Sequence, residues 1–206
     1  MQSAREAVET YIRAKDQNRP YLMERAFAED ATLAVVVHSG TISFPPTSMG
    51  LESISDVLVR RFAQTYENVF TFCLAPPPES GEVEFSCNWL VGMSEKDSRM
   101  VRVGCGRYDW LFQPQGQRLA QRLTINIDLM QSLPPTSLAV VTDWLSKLPY
   151  PWCSARNAVS GTPALHELQP IREYLGRVSG RGDMDDALVE RRSRDSPSYR
   201  PAGPGQ

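Results

Sequence analysis

The 206-residue sequence contains no run of 18 apolar residues, so no segment reads as a transmembrane helix. Its opening, Gln2-Ser3-Ala4-Arg5-Glu6, lacks the apolar stretch of a secretory signal, and a cytoplasmic location is expected. An excess of one charge is missing too: 22 Lys and Arg stand against 24 Asp and Glu, a formal net charge of −2. That balance gives no electrostatic ground for nucleic acid or an anionic membrane as partner. Histidine is scarce, at two residues, and cysteine nearly so, at four. No two cysteines stand in CxxC spacing, and His38 and His166 are far in sequence from other ligand types, so no metal site is expected. Cys73, Cys87 and Cys105 sit in strand-like runs and read as buried, reduced and space-filling. No glycine-rich phosphate loop or nucleophile elbow appears, so no cofactor is implied, and any chemistry would be non-covalent.

The composition itself is that of a globular chain, 41% apolar and 22% charged. Ser3-Ala4-Arg5-Glu6 is a capping box, and Ala4, Val8, Tyr11 and Ile12 follow at helical spacing, so a first helix runs to about Asp16. Pro20 restarts a helix carrying Leu22, Met23, Ala26 and Phe27. Residues 33–37 read as a strand and 41–44 as a short second one, stopped by Pro45-Pro46. A long helix is expected over 51–68, with Ile54, Val57, Leu58, Phe62 and Tyr66 on its inner side. Four strand-like runs follow, 69–75, 83–93, 100–112 and 118–130, joined by short connectors rich in Pro, Gly and charge. Successive long strands with short turns predict an antiparallel sheet and the α+β class.

Beyond Met130 the pattern turns helical, over 136–148 and 163–178, around a rigid Pro149-Tyr150-Pro151-Trp152. From Ser179 the composition predicts a disordered tail, in which Arg181-Gly182-Asp183 reads as a chance adhesion tripeptide. Three parts result: an α+β domain over 1–131, a helical C-terminal extension over 132–178, and a tail over 179–206.

The element order, with two stretches in it, resembles the nuclear transport factor 2-like (NTF2-like) superfamily. The first runs from Ala7-Val8-Glu9-Thr10-Tyr11 to Phe27-Ala28-Glu29-Asp30-Ala31-Thr32-Leu33. It is similar to the two helices and "F-x-x-D-A" turn that open these domains. The second, Gly106-Arg107-Tyr108-Asp109-Trp110-Leu111-Phe112 followed by Arg118-Leu119-Ala120-Gln121-Arg122, resembles the "GRY-D" strand and basic returning strand of SnoaL-like proteins and dioxygenase small subunits. The resemblance covers residues 4–131. It implies a cone-shaped curved sheet wrapped around a long helix, with an apolar pocket at the open end. It does not fix a function.

Ketosteroid isomerases of the same superfamily pair a tyrosine with a protonated aspartic acid as an oxyanion hole and move the proton with a second aspartate. On that pattern Tyr11 takes the tyrosine position and Tyr108 the acid position. Val35 takes the place of the base, which excludes that mechanism. Alternation then turns Gly106, Tyr108 and Trp110 inward beside Gln121, Leu123, Ile125 and Ile127, with Val35 and Trp89 as pocket wall. A one-residue slip would instead turn Asn126 and Asp128 inward.

Each candidate has a plain reading beside the functional one. Tyr11 and Tyr108 are either hydrogen-bond donors to a guest or core rings with satisfied hydroxyls. Asp128 is a general base or an exposed carboxylate, and Trp89 a pocket wall or sheet packing. His38 is an acid–base group, suited by its near-neutral titration, or a rim histidine. Two functions follow. One is a SnoaL-like small-molecule pocket protein, acting without cofactor as an isomerase, cyclase or dehydratase on a hydrophobic carbonyl or phenolic compound. The other is a non-catalytic binding or assembly module resembling a dioxygenase small subunit. The outward set Arg107, Asp109, Arg122, Thr124, Asn126 and Asp128 suggests a homodimer across a two-fold axis.

Overall fold

The structure, a computed structural model, describes residues 2–38, 40 and 42–180. The tail expectation and the Arg181-Gly182-Asp183 tripeptide fall outside the described residues from 181 on. Residues 179 and 180 instead end a helix over 169–180.

The first helix, Ala4–Asp16, begins where the capping box lies. Ser3 Oγ accepts the Glu6 N–H, and the Glu6 carboxylate accepts the Ser3 N–H at 2.7 Å. Its stripe of Ala4, Ala7, Val8, Tyr11 and Ile12 is buried. Pro20–Arg25 is a 3-10 turn rather than an α-helix, because β1 (Phe27–Val37) starts two residues later. The polar pair Glu29-Asp30 hides the front half of β1 from the alternation rule, since the strand bulges between Phe27 and Thr32. β2 is Thr47–Met49 and follows Pro45-Pro46 instead of preceding them. Residues 42–44, expected to be a strand, lie as a loop whose Ile42 and Phe44 pack on the core.

The central helix spans 51–65 and is not uniform. An α-helical turn, Leu51–Ser55, passes into a wide π-helical stretch, Asp56–Arg61, and back to α over Phe62–Thr65. The wide turn buries three consecutive residues, Val57, Leu58 and Val59. The helix stops three residues short of the expected end. Tyr66 is already extended and opens β3 (Tyr66–Cys73), where Asn68 takes a positive φ of 54° at a bulge.

β4 (Glu84–Glu95), β5 (Val101–Phe112) and β6 (Ala120–Leu133) complete a six-stranded sheet in the order β2-β1-β6-β5-β4-β3. Every pairing is antiparallel except β1 with β6, which is parallel and makes the sheet mixed. The class is α+β, with the first and central helices packed into the concave face.

The convex face is covered as well, by the C-terminal third. Helices Leu138–Ser146, Ala155–Ser160 and 169–180 bury Phe72, Leu90, Val101, Val103, Cys105 and Leu133 in a second core. Contact is close enough that a Cβ on Gly92 would stand 2.1 Å from Leu145 Cδ1. The extension also completes the open edge of β3. The Cys73 N–H donates to Pro151 O at 2.8 Å, and the Cys153 N–H to Cys73 O at 3.0 Å. All four cysteines are free and buried. Among the described residues no helix is long and apolar enough to cross a membrane.

The outward patch on β5 and β6 is partly occupied by the chain itself. Tyr174, from helix 169–180, places its hydroxyl 2.9 Å from Asn88 Oδ1, 3.0 Å from Gly106 O and 3.1 Å from Asp128 Oδ2. The register sets Arg122 opposite Leu111, and Asp109 takes Arg107 at 2.7 Å and Ser86 at 2.6 Å.

Candidate functional site

Between the concave sheet face and the two helices lies a cavity of about 50 Å3. The first helix contributes Tyr11 and Lys15, one turn apart on its buried stripe. The central helix adds Leu58 and Phe62, the strands Trp89, Tyr108, Ile125 and Ile127, and the 42–44 loop Ile42 and Phe44. A dry cavity of about 150 Å3 is the size that admits benzene. This one takes a few heavy atoms, or more if a wall moves.

Tyr11 and Tyr108 meet edge to face at 6.1 Å. Burial pushes both phenols above their ordinary range, and for Tyr108 the neighbouring Tyr11 adds to it. Both therefore stay protonated at neutral pH and can donate. Trp89 stacks on Tyr108 at 5.6 Å. Its indole N–H, like that of Trp110, is buried and has no hydrogen-bond partner among the described residues. A buried donor without a partner costs about 1–3 kcal/mol.

Lys15 was not legible as a site residue, yet it brings the only formal charge to the cavity wall among the described residues. It is 6% exposed, and its Nζ donates to Asp16 Oδ1 at 2.8 Å and Thr71 Oγ1 at 2.7 Å. Asp16 in turn accepts the Thr71 N–H at 2.8 Å, the Thr71 hydroxyl at 2.8 Å and the Tyr150 hydroxyl at 3.0 Å. One carboxylate thus gathers donors from the first helix, β3 and the C-terminal extension. The signal that would have found Lys15 is its place four residues after Tyr11, on an otherwise apolar stripe.

The other expected residues are placed as follows. Trp110 is buried among Tyr11, Phe27 and Phe112 rather than in the cavity wall. Leu123 and Val35 are core residues beside the cavity. Gln121 is exposed, which corrects its inward assignment. It is the extra residue of a bulge, since Leu111 pairs with Arg122 but Phe112 with Ala120. Asp128 lies on the convex side at a second bulge, where Gly106 pairs with Ile127 but Cys105 with Leu129. Inward alternation therefore holds through Ile127 and resumes at Met130. His38 is exposed beyond the end of β1, its backbone N–H donating to Ile127 O at 2.9 Å, and does not reach the cavity. Among the described residues no three His, Cys, Asp or Glu side chains come together as a metal site would require.

The sequence matches no protein-family model and no curated protein. Solved structures do match. LinA is similar at a TM-score of 0.51 and 10% identity, over 61% of this chain and 84% of its own. The RV0760c protein of Mycobacterium tuberculosis is similar at 0.50 and 15%, over 64% and 98%. An NTF2-like superfamily protein of Salmonella enterica is similar at 0.48 and 14%, over 60% and 87%. At such identities the likeness is one of fold.

Proposed function

We propose that this chain, which has the NTF2-like fold, is a binding protein for a compact apolar molecule that presents an acceptor oxygen, a carbonyl or a phenolate. One observation supports this most. Among the described residues, the N–H and O–H groups of the cavity-lining residues Tyr11, Tyr108, Trp89 and Lys15 can all donate, and no carboxylate or imidazole stands among them. A guest oxygen would accept what the wall offers.

The same wall speaks against rapid proton transfer. An isomerase, cyclase or dehydratase reading needs a base at the guest, and neither His38 nor Asp128 reaches it. LinA, whose counterpart is named a hexachlorocyclohexane dehydrochlorinase, shares the fold and carries no further argument. The small cavity volume favours a second reading, a filled cone that serves as a non-catalytic module. If two copies pair through the convex face, they would use the part Tyr174 leaves open, around Arg107 and Arg122.

Calorimetric titration with cyclohexanone and phenol tests the first reading. Each of Tyr11→Phe, Tyr108→Phe and Trp89→Phe should weaken binding of a neutral guest by about 0.5–1.5 kcal/mol. Affinity unchanged in all three variants, or no binding by the wild type, would favour the module.

A further inference from the structure

An ammonium group has three N–H donors. Lys15 directs two hydrogen bonds away from the cavity, to Asp16 and Thr71. It also lies over the ring of Phe62, a second lining residue, 4.7 Å from Nζ to centroid. A ring face is a weaker partner for a buried cation than an anionic oxygen. Asp16 already supplies one anionic oxygen, but it does not line the cavity, and neither do Thr71 and Tyr150, which take its other contacts, so Lys15 is the member of the pair at the cavity wall.

Phe62 has a second distinction. With Lys15 it also lines a surface cleft of about 280 Å3, bounded by Tyr66, Glu67 and Lys96. It further borders an opening of about 260 Å3 beneath Ile42 and Phe44. One side chain is thus shared by the inner cavity and two outer spaces. It sits directly after the π-helical stretch, a kind of turn often found at functional sites.

We infer that the site selects a small anionic guest, an apolar carboxylate or phenolate, whose oxygen takes the Lys15 N–H in place of the Phe62 ring, with Phe62 turning aside to admit it. The inference rests on the cavity being a ligand site and adds the charge of the ligand and its door. Lys15 is then the specificity-determining residue. The two tyrosines and Trp89 orient the guest without choosing its charge.

The test compares isosteres at neutral pH: isobutyrate with isobutyramide, and benzoate with benzamide. Binding is read by calorimetry and by the Trp89 indole resonance, assigned with Trp89→Phe. In the wild type each carboxylate should bind at least 10-fold more tightly than its amide. In Lys15→Met the preference should fall below about 2-fold, and Phe62→Leu should improve benzoate more than the smaller isobutyrate. Amides binding as well as carboxylates to the wild type would overturn the inference and leave the pocket reading standing. Failure of all four compounds to move the Trp89 resonance would overturn both. Should Lys15→Met not fold, the wild-type isostere comparison and Phe62→Leu still decide the matter.

Discussion

Replacing Asp16 by alanine should do more damage than removing the cation it holds. Both side chains are almost wholly buried, at 6% exposure for Lys15 and 3% for Asp16. In Asp16→Ala the ammonium keeps only the Thr71 hydroxyl and the Phe62 ring. Stranding a buried charge in this way costs about 3–5 kcal/mol. In Lys15→Met the carboxylate still accepts the Thr71 N–H, the Thr71 hydroxyl and the Tyr150 hydroxyl. The loss is then nearer that of one charged hydrogen bond, about 1.5–3 kcal/mol. For a chain of this length, Asp16→Ala corresponds to a Tm drop of roughly 6–20 °C. Urea unfolding of both variants at pH 7, with unchanged m, is the assay. A double variant, Lys15→Met with Asp16→Leu, should cost less than the two single losses added together. The reasoning is refuted if Asp16→Ala costs under about 1 kcal/mol, or if Lys15→Met proves the worse of the two.

Three further outcomes are expected. Burial raises the phenols of Tyr11, Tyr108, Tyr150 and Tyr174, so the folded chain holds protons that the unfolded chain releases above about pH 10. The stability they contribute is complete below that pH and falls as pH rises through it, so urea midpoints should drop from pH 9 to 11 while phenolate absorbance appears only with unfolding. Gly106→Ala would set a Cβ 1.9 Å from Asn126 O, a backbone atom, and should cost at or beyond the upper end of the roughly 1–3 kcal/mol overpacking range in a thermal melt. Ending the chain after Leu133 should yield an aggregating product by sedimentation velocity, since Phe72, Leu90, Val101 and Val103 lose their cover.

Much of this architecture is legible in the residues because local and global preferences agree. The capping box, the buried Ile54, Val57, Leu58 and Phe62 of the central helix, and Leu123, Ile125 and Ile127 on the inner face of β6 all follow from spacing. What escapes is of two kinds. Bulges add one residue and reverse the side-chain parity, and no residue type at Gln121 or Asp128 announces them. Contacts across long sequence separations escape as well. Tyr150 reaches Asp16, and Trp152 Nε1 donates to Glu9 Oε1 at 2.7 Å, from segments joined only by the fold. The buried cation fell between the two. Its spacing from Tyr11 puts Lys15 on the apolar stripe, and the strand that brings Thr71 to it completes its burial.

The cover on the convex face sets an order for biosynthesis. A ribosome adds roughly 5–20 residues per second, and the sheet is fully translated once Leu133 is made. Ile171 and Leu175, which help seal that face, come some forty residues later. The residues that pair the β3 edge, Pro151 and Cys153, and those that cover the convex face are thus made after every strand of the sheet. Until the extension docks, the apolar residues Phe72, Leu90, Val101 and Val103 lack their cover, and that is when a chaperone that holds apolar sheet would act.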